Sequence, residues 1–512
     1  MNTKNIIVII ISLLISKTLF ALEKQILVSN QSELTSAISA AKPGDIIIMK
    51  DGVWHDVNIN FNAKASATSA ITLKAQTPGN VILNGSSTLT FSSPNLVVDG
   101  LFFKQGALSE QNNAVINFNS EHCRLTNVAI IDYNPQSFET KYFWVYFKGS
   151  YNRMDHCLMK GKNNMNPVVQ NDDENARYNS VDSSYVKDIP FVDNANGREI
   201  FRIFGYGHAD ELGDDGAYFT IEYNLFDHAH GEGTEIVSLK SNHNIVRFNT
   251  VISSRGGLVG RRGKFNTFEG NFVLGQGQKG STGIRVAGAN HRVFNNYVAD
   301  VEEDGLRLIT GEYYEKSLTS NFAPKKKALP KYLQVQNGYF ANNTILNCGG
   351  NGIDIGFSYK NHWPDLQMVL MPENNQFKNN LVYNCKGNAL NIAEIDKSSP
   401  LDQFTFKPNF FEGNIIYGNK KSNTTIPEGV KFFQPKISLS KDGLFRLDND
   451  SPLINTGVNS EIKTDMDGQI RDSKIDIGAD EFTSSKSTIH PLTASEVGPN
   501  WIISKEKSGE KF

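Results

Sequence analysis

The segment "HGEGTEIVSLKS", residues 230–241, places two carboxylates, an amine and a hydroxyl (Glu232, Glu235, Lys240 and Ser241) within twelve residues. "VGRRGKFN" follows with Arg261, Arg262 and Lys264, and "GIRVAGANHR" with Arg285, His291 and Arg292. A neutral lysine can accept a proton, guanidinium groups can stabilise a developing anion, and carboxylate oxygens can hold a hard cation. Lys240, Arg261 and Arg285 are separated by 21 and 24 residues. If the chain coils with that period, the three cations line up on adjacent coils about 4.8 Å apart, a column suited to an extended anionic polymer. The plainer reading is a solvated charged face, because surface Lys and Arg are common and mostly do nothing specific. Against it, the basic residues recur at one interval with Glu235 among them. Strand parity would put Glu235, Val237 and Leu239 on one face and Ile236, Ser238 and Lys240 on the other, unless a bend intervenes.

The elements that would position these groups belong to a repeat. A polar residue, usually Asn, followed by three mostly apolar residues recurs as Asn224 "NLFD", Asn249 "NTVI", Asn271 "NFVL" and Asn296 "NYVA", at intervals of 25, 22 and 25 residues. Asn343, Asn380 and Asn414 open the same phrase further on. A period of this size implies a solenoid, and units rich in Val, Ile, Phe, Tyr and Thr, too short for a helix pair, imply short strands. The expected fold is all-β, a single-domain right-handed parallel β-helix. In such a coil an Asn amide both donates and accepts at a strand bend, and copies can bond to one another. That accounts for the asparagines structurally, and they carry no chemistry in this reading.

Near the N-terminus, Leu34, Ala37, Ile38 and Ala41 follow helical spacing before Pro43-Gly44, as expected of a helix capping the open end of the coil. "MNTKNIIVIIISLLISKTLFA" has a lysine, an apolar run and a small residue, and reads as a signal peptide over residues 1–21. Its apolar run is shorter than a bilayer span. The expected organisation is a coil domain over 22–430, with a C-terminal cap and tail of the same domain over 431–512, in a secreted or periplasmic protein. The net charge of −3 gives no sign of a nucleic-acid partner, and no second segment is apolar enough for a membrane. The four cysteines show no CxxC spacing; Cys348 and Cys385, closing the similar phrases "NNTILNC" and "NNLVYNC", read as stacked buried thiols rather than a bridge.

"NLFDHAHGEGTEIVSLKSNHNIVRFNTV", "GLVGRRGKFNTFEGNFVLG" and "GIRVAGANHRVFNNYV" resemble polysaccharide lyase family six, the alginate lyases and the dermatan-sulfate lyase chondroitinase B. "NANGREIFRIFG" resembles the family's "NGGETIRIG" segment, and "KGKNN" at 160–164 is also similar. The resemblance implies β-elimination on a uronate polymer. It implies Lys240 as the base and Arg261 as the acid or the stabiliser of the leaving group, with Arg285 and His291 holding substrate carboxylates. It also implies calcium bound through a Glu-x-Glu pair. Here Glu235 is the second carboxylate, but Gly233 stands at the first position and Glu232 lies one residue early. Losing one of few oxygen ligands weakens a hard-cation site, so calcium at Glu235, Glu232 and Asn196 stays an open expectation. Arg262 stands where the family has histidine, and its guanidinium could take over the charge that calcium would neutralise.

Elimination requires these residue types. Removing the C5 proton of a uronate builds negative charge on its carboxylate, which a cation must stabilise. Arginine is a poor proton donor, so Arg261 suits the leaving oxygen as a stabiliser, with water or Tyr314 as donor candidates. Alginate is the expected substrate. The rivals are a dermatan-sulfate lyase, a hydrolase or epimerase on the same scaffold, and a non-catalytic carbohydrate-binding coil. A hydrolase would want paired carboxylates, and the close pairs in the central loops, Asp172-Asp173 and Asp214-Asp215, read as loop residues. The loops at 159–196 and 305–335 would set substrate preference.

Overall fold

The computed structural model describes residues 24–109, 113–172, 176–205, 214–313, 332–363, 366–395 and 405–507. Two long parallel sheets of 14 and 25 strands dominate it. The chain winds as a right-handed parallel β-helix, each coil laying its strands beside those of the coil before. One wall of the larger sheet carries, in succession, Phe201–Ile203, Glu235–Leu239, Gly256–Gly260, Ser281–Val286 and Leu306–Ile309, each paired in parallel with the next. Val237, Leu239, Leu258, Ile284, Val286 and Leu308 point inward and are almost fully buried. A parallel sheet covered on its inner face by such side chains is what β-branched and aliphatic strands favour.

The asparagines form the expected ladder. Asn224 donates to Asn249 Oδ1 at 3.1 Å, Asn249 to Asn271 at 3.0 Å, Asn271 to Asn296 at 2.9 Å and Asn296 to Asn343 at 3.0 Å. Each is buried, so the ladder answers polar groups that the bends would otherwise strand away from water. All four cysteines are free and buried.

At the N-terminal end the helix Gln31–Ala40 buries Leu34, Ala37 and Ile38. Asn30 and Glu33 cap it reciprocally: Glu33 N donates to Asn30 Oδ1 at 2.9 Å and Ser29 N to Glu33 Oε2 at 2.7 Å. Ala41 ends the helix as its C-cap and packs, half-buried, on the core. The proposed signal peptide lies outside the described residues, among which no helix is long and apolar enough to cross a membrane.

The segment after 430 does more than cap the end. It runs back along the outside of the coil: Val458 N bonds Asn379 Oδ1 at 2.8 Å, Ala479 N bonds Thr344 Oγ1 at 2.8 Å, Leu492 N bonds Thr250 Oγ1 at 2.7 Å, and Trp501 Nε1 reaches Asn127 O at 2.9 Å. The cause is apolar outer surface. Phe102, Leu158 and Leu225 on the wall are buried against Val497, Trp501 and Ile502 of the returning strap, which removes that surface from water.

Candidate active site

The strand Glu235–Leu239 does not follow simple alternation. Glu235 pairs with Gly257 and Val237 with Leu258, so two residues here oppose one step on the next coil. This bulge turns both Ile236 and Val237 into the core. Glu235 therefore faces the same way as Ser238, whose hydroxyl donates to it, and the parity expected from the sequence is corrected. Lys240 and Arg261 follow the paired residues Leu239 and Gly260, and their amides bond Ile203 O at 2.8 Å and Leu239 O at 2.9 Å. They are neighbours on adjacent coils. Arg285 is not the third member of that row. It pairs with Val259, two positions short, and joins the row Arg202, Ser238, Val259, Arg285 and Arg307.

Three glutamates converge here: Glu199, Glu232 and Glu235 each offer an oxygen, all within 4.8 Å of one another. Lys240 Nζ lies 2.6 Å from Glu199 Oε1, and Arg202 lies 3.3 Å from the same carboxylate. Burial opposes the Glu199 charge, yet Lys240 and Arg202 hold its carboxyl below the ordinary range. Glu235 is paired with Arg285 and, at 3.4 Å, with Arg261. Glu232 accepts from Gly197 N at 2.9 Å and Thr234 Oγ1 at 2.8 Å. Burial pushes Glu232 upward, and the charges on Glu199 and Glu235 add to it. Three carboxylate oxygens gathered this closely are the donor set a hard divalent ion accepts, so the residues fit a calcium site. Gly233 does not empty it. The chain passes Gly231 and Gly233 at φ of 56° and 83°, which brings Glu232 to the cluster one residue early. A Cβ at 233 would lie 2.6 Å from the Phe191 ring.

Behind the glutamates sits a buried guanidinium. Arg198 Nη2 donates to Lys162 O at 2.6 Å, Nε to Asn164 O at 3.1 Å, and Nη1 to Gly231 O at 3.0 Å and to Pro190 O. Lys162, in the "KGKNN" motif, is equally buried, and its ammonium is held by Asn164 O, Asn164 Oδ1, Met165 O and Asn166 O at 2.8–3.1 Å. Burial lowers Arg198 to about 10; burial and the Arg198 charge bring Lys162 well down.

The remaining candidates divide. Arg262 is half-buried beside Arg261, and its amide shares Leu239 O at 3.0 Å. Asn196 is exposed and outside the trio; the carboxylate its segment contributes is Glu199, three residues on. Glu199 was missed although it stands at the glutamate of the "NGGE" motif that its segment resembles: only the asparagine of that motif was singled out, and the partners that give Glu199 its role, Glu232 and Lys240, are one coil away. Arg307, also missed, follows Arg285 in the row, bonds Asp304 at 2.7 Å and lies 4.3 Å from the Phe357 ring. Tyr314 lies outside the described residues.

His291 does not join the outer face of the wall with the other candidates. It is buried in the wall, where Nδ1 accepts from Asn266 N at 3.2 Å and Nε2 donates to Ala287 O at 3.0 Å. Asn244 N bonds Asn266 in the same manner one coil earlier, at 2.8 Å, so His291 occupies a rung of a second asparagine ladder. Burial lowers its pKa to about 4. An unfolded histidine titrates near ~6.5, so between these values the unfolded chain binds a proton that the folded chain refuses. Stability is therefore full above the upper value and falls as pH drops through the window, by roughly 3 kcal/mol. His291→Asn, which fits the rung without titrating, is expected to flatten this acid loss. Urea midpoints at about pH 7 and about pH 4.5 check it, and an undiminished acid loss in the variant would show that other groups set it.

The β-helix wall thus presents a lysine and arginines on adjacent coils beside three glutamates. The chain belongs to the chondroitinase B family, whose model matches residues 28–440, and thus to polysaccharide lyase family 6. It is 44% identical to the family 6 polysaccharide lyase Pedsa3628 from Pseudopedobacter saltans, with a TM-score of 0.75 over 93% of this chain and 99% of that one. It is 27% identical to the family 6 alginate lyase AlyGC, with a TM-score of 0.73 over 93% of this chain and 58% of that one. A mannuronic acid-specific family 6 lyase from human gut microbiota is 25% identical, with a TM-score of 0.65 over 80% of this chain and 91% of that one. Among curated proteins none matches this chain.

Proposed function

We propose that this protein is an exported alginate lyase that cleaves by β-elimination. The observation that carries this reading is the placement of Lys240 and Arg261 as neighbours on adjacent coils, beside the glutamate trio. Lys240 Nζ takes the C5 proton of the bound uronate. Arg285, with Arg262 nearby, faces the sugar carboxylate and stabilises the charge that develops on it, while Arg261 stabilises the departing O4. Glu199 and Glu235 orient the lysine and the two arginines. Calcium, held by Glu199, Glu232 and Glu235, would supply further positive charge for the sugar carboxylate. His291 acts only by fixing the wall. Alginate is favoured over dermatan sulfate by the likeness to AlyGC and to the mannuronic acid-specific lyase.

The test is ultraviolet absorbance during incubation with alginate and, separately, with dermatan sulfate. Elimination leaves a conjugated double bond; hydrolysis, epimerisation and binding do not. A rise with alginate is expected. A rise with dermatan sulfate alone would move the substrate, and no rise with either would end the lyase reading. Calorimetric titration with calcium is expected to show one site that Glu232→Gln weakens at least about tenfold. Activity surviving chelation and lost in Arg262→Ala would instead assign the neutralising charge to Arg262.

A further inference from the structure

Elimination needs a proton donor as well as a base, because O4 leaves as an alkoxide. Arg261 cannot serve, since a guanidinium does not give up its proton in a protein. Arg261 lies over the ring of Tyr332, with Cζ 3.8 Å from the ring centroid. The ring also packs on the patch formed by Ala287, Ile309 and Met368. Ala287 is the next member of the row that runs Lys240, Arg261, Ala287. Tyr332 therefore sits one coil beyond Arg261, on the side away from the base. Its backbone is fixed on both sides: Glu312 N bonds Tyr332 O at 2.9 Å, and Gly288 N bonds Leu333 O at 3.0 Å. Tyr332 is half-buried, and among the described residues its hydroxyl makes no hydrogen bond. Tyr146, three coils before Lys240 on the same wall, already gives its hydroxyl to Asp172 at 3.0 Å.

We propose that Tyr332 is the proton donor of the elimination; this rests on the lyase reading above. Lys240 Nζ takes the C5 proton, and the electrons of that bond form the C4–C5 double bond. The C4–O4 bond breaks with its pair on O4, which takes the hydroxyl proton of Tyr332. The tyrosinate and the lysine ammonium then restore each other through solvent, so no acid or base is consumed. Arg261, stacked on the ring and beside Lys240, spans the distance between base and donor.

Tyr332→Phe keeps the ring and its stacking and removes only the hydroxyl. On polymer it is expected to lower kcat at least about 100-fold, with KM within about threefold of the wild type. A uronoside carrying fluoride at C4 separates this from a structural effect, because fluoride departs without a proton. The variant is expected to release fluoride, followed by an ion-selective electrode, at close to the wild-type rate, whereas Lys240→Ala releases none. Polymer cleavage by Tyr332→Phe at the wild-type rate would overturn the proposal, as would equal loss on both substrates. A wild-type protein that forms no unsaturated product from any uronate polymer would overturn the lyase reading and this proposal together; normal wild-type cleavage with full turnover by Tyr332→Phe would overturn this proposal alone.

Discussion

Lys240→Ala is expected to reduce formation of unsaturated uronate by at least about 10³-fold, with the polymer still bound. A general base contributes about 10²–10⁴-fold, and among the described residues Lys240 is the only lysine paired with the glutamate trio. Arg202, one coil before, is a guanidinium engaged by Gln170 at 2.6 Å and by Glu199. The variant should remain folded. Lys240 follows the end of its strand with its amine paired to Glu199, and its backbone bond to Ile203 O does not depend on the side chain. Glu199 would lose its nearest partner but keep Arg202. The measurement is single-turnover absorbance on alginate alongside the unfolding midpoint. Turnover within tenfold of the wild type at an unchanged midpoint would remove Lys240 from the chemistry.

The placement of Lys240 beside Arg261 was legible in the sequence because their separation matches the coil period, and so was the coil. The asparagine phrase repeats because each amide must meet the next copy of itself, and the ladder from Asn224 to Asn343 is the physical reason for the interval. What the interval could not carry was direction. A single bulge at Ile236 reverses the parity of Glu235, and bulges leave no mark that alternation would reveal. His291 was expected to hold a substrate carboxylate because the family resemblance of its turn implied it, yet it answers the amide of Asn266. A histidine serving as a rung makes the same hydrogen bonds as an asparagine there and can be told from a ligand only by where its nitrogens point. Glu199 was hidden for the opposite reason: the residues that give it meaning are 33 and 36 positions away in sequence and within 4.8 Å in space. The strap after residue 430 was read as a cap because apolar outer positions on a wall look the same in sequence as inner ones.

Arg198→Met is expected to cost about 3–5 kcal/mol of stability and to lower activity even where the variant is folded. Arg198 supplies hydrogen bonds to the carbonyls of Lys162, Asn164, Pro190 and Gly231, sharing only Asn164 O with a second charged donor, the Lys162 ammonium. Methionine fills much of the volume but donates nothing, leaving buried acceptors unanswered at a cost of about 1–3 kcal/mol each before relaxation. The functional consequence follows from chain position. Arg198 precedes Glu199, and the carbonyl it grips on the next coil belongs to Gly231, which precedes Glu232. One buried side chain thus fixes the spacing of two glutamates, one of which holds Lys240. Loosening it should lower kcat more than it raises KM, because the lysine and the trio must be in place when the proton moves. Arg198→Lys, whose single ammonium cannot reach four carbonyls spread over three loops, should fall between the two. Urea midpoints, with kcat and KM measured well below each variant's unfolding temperature, decide the matter. If Arg198→Met matched the wild type in midpoint and kcat, the glutamates would have to be positioned by their own strands alone.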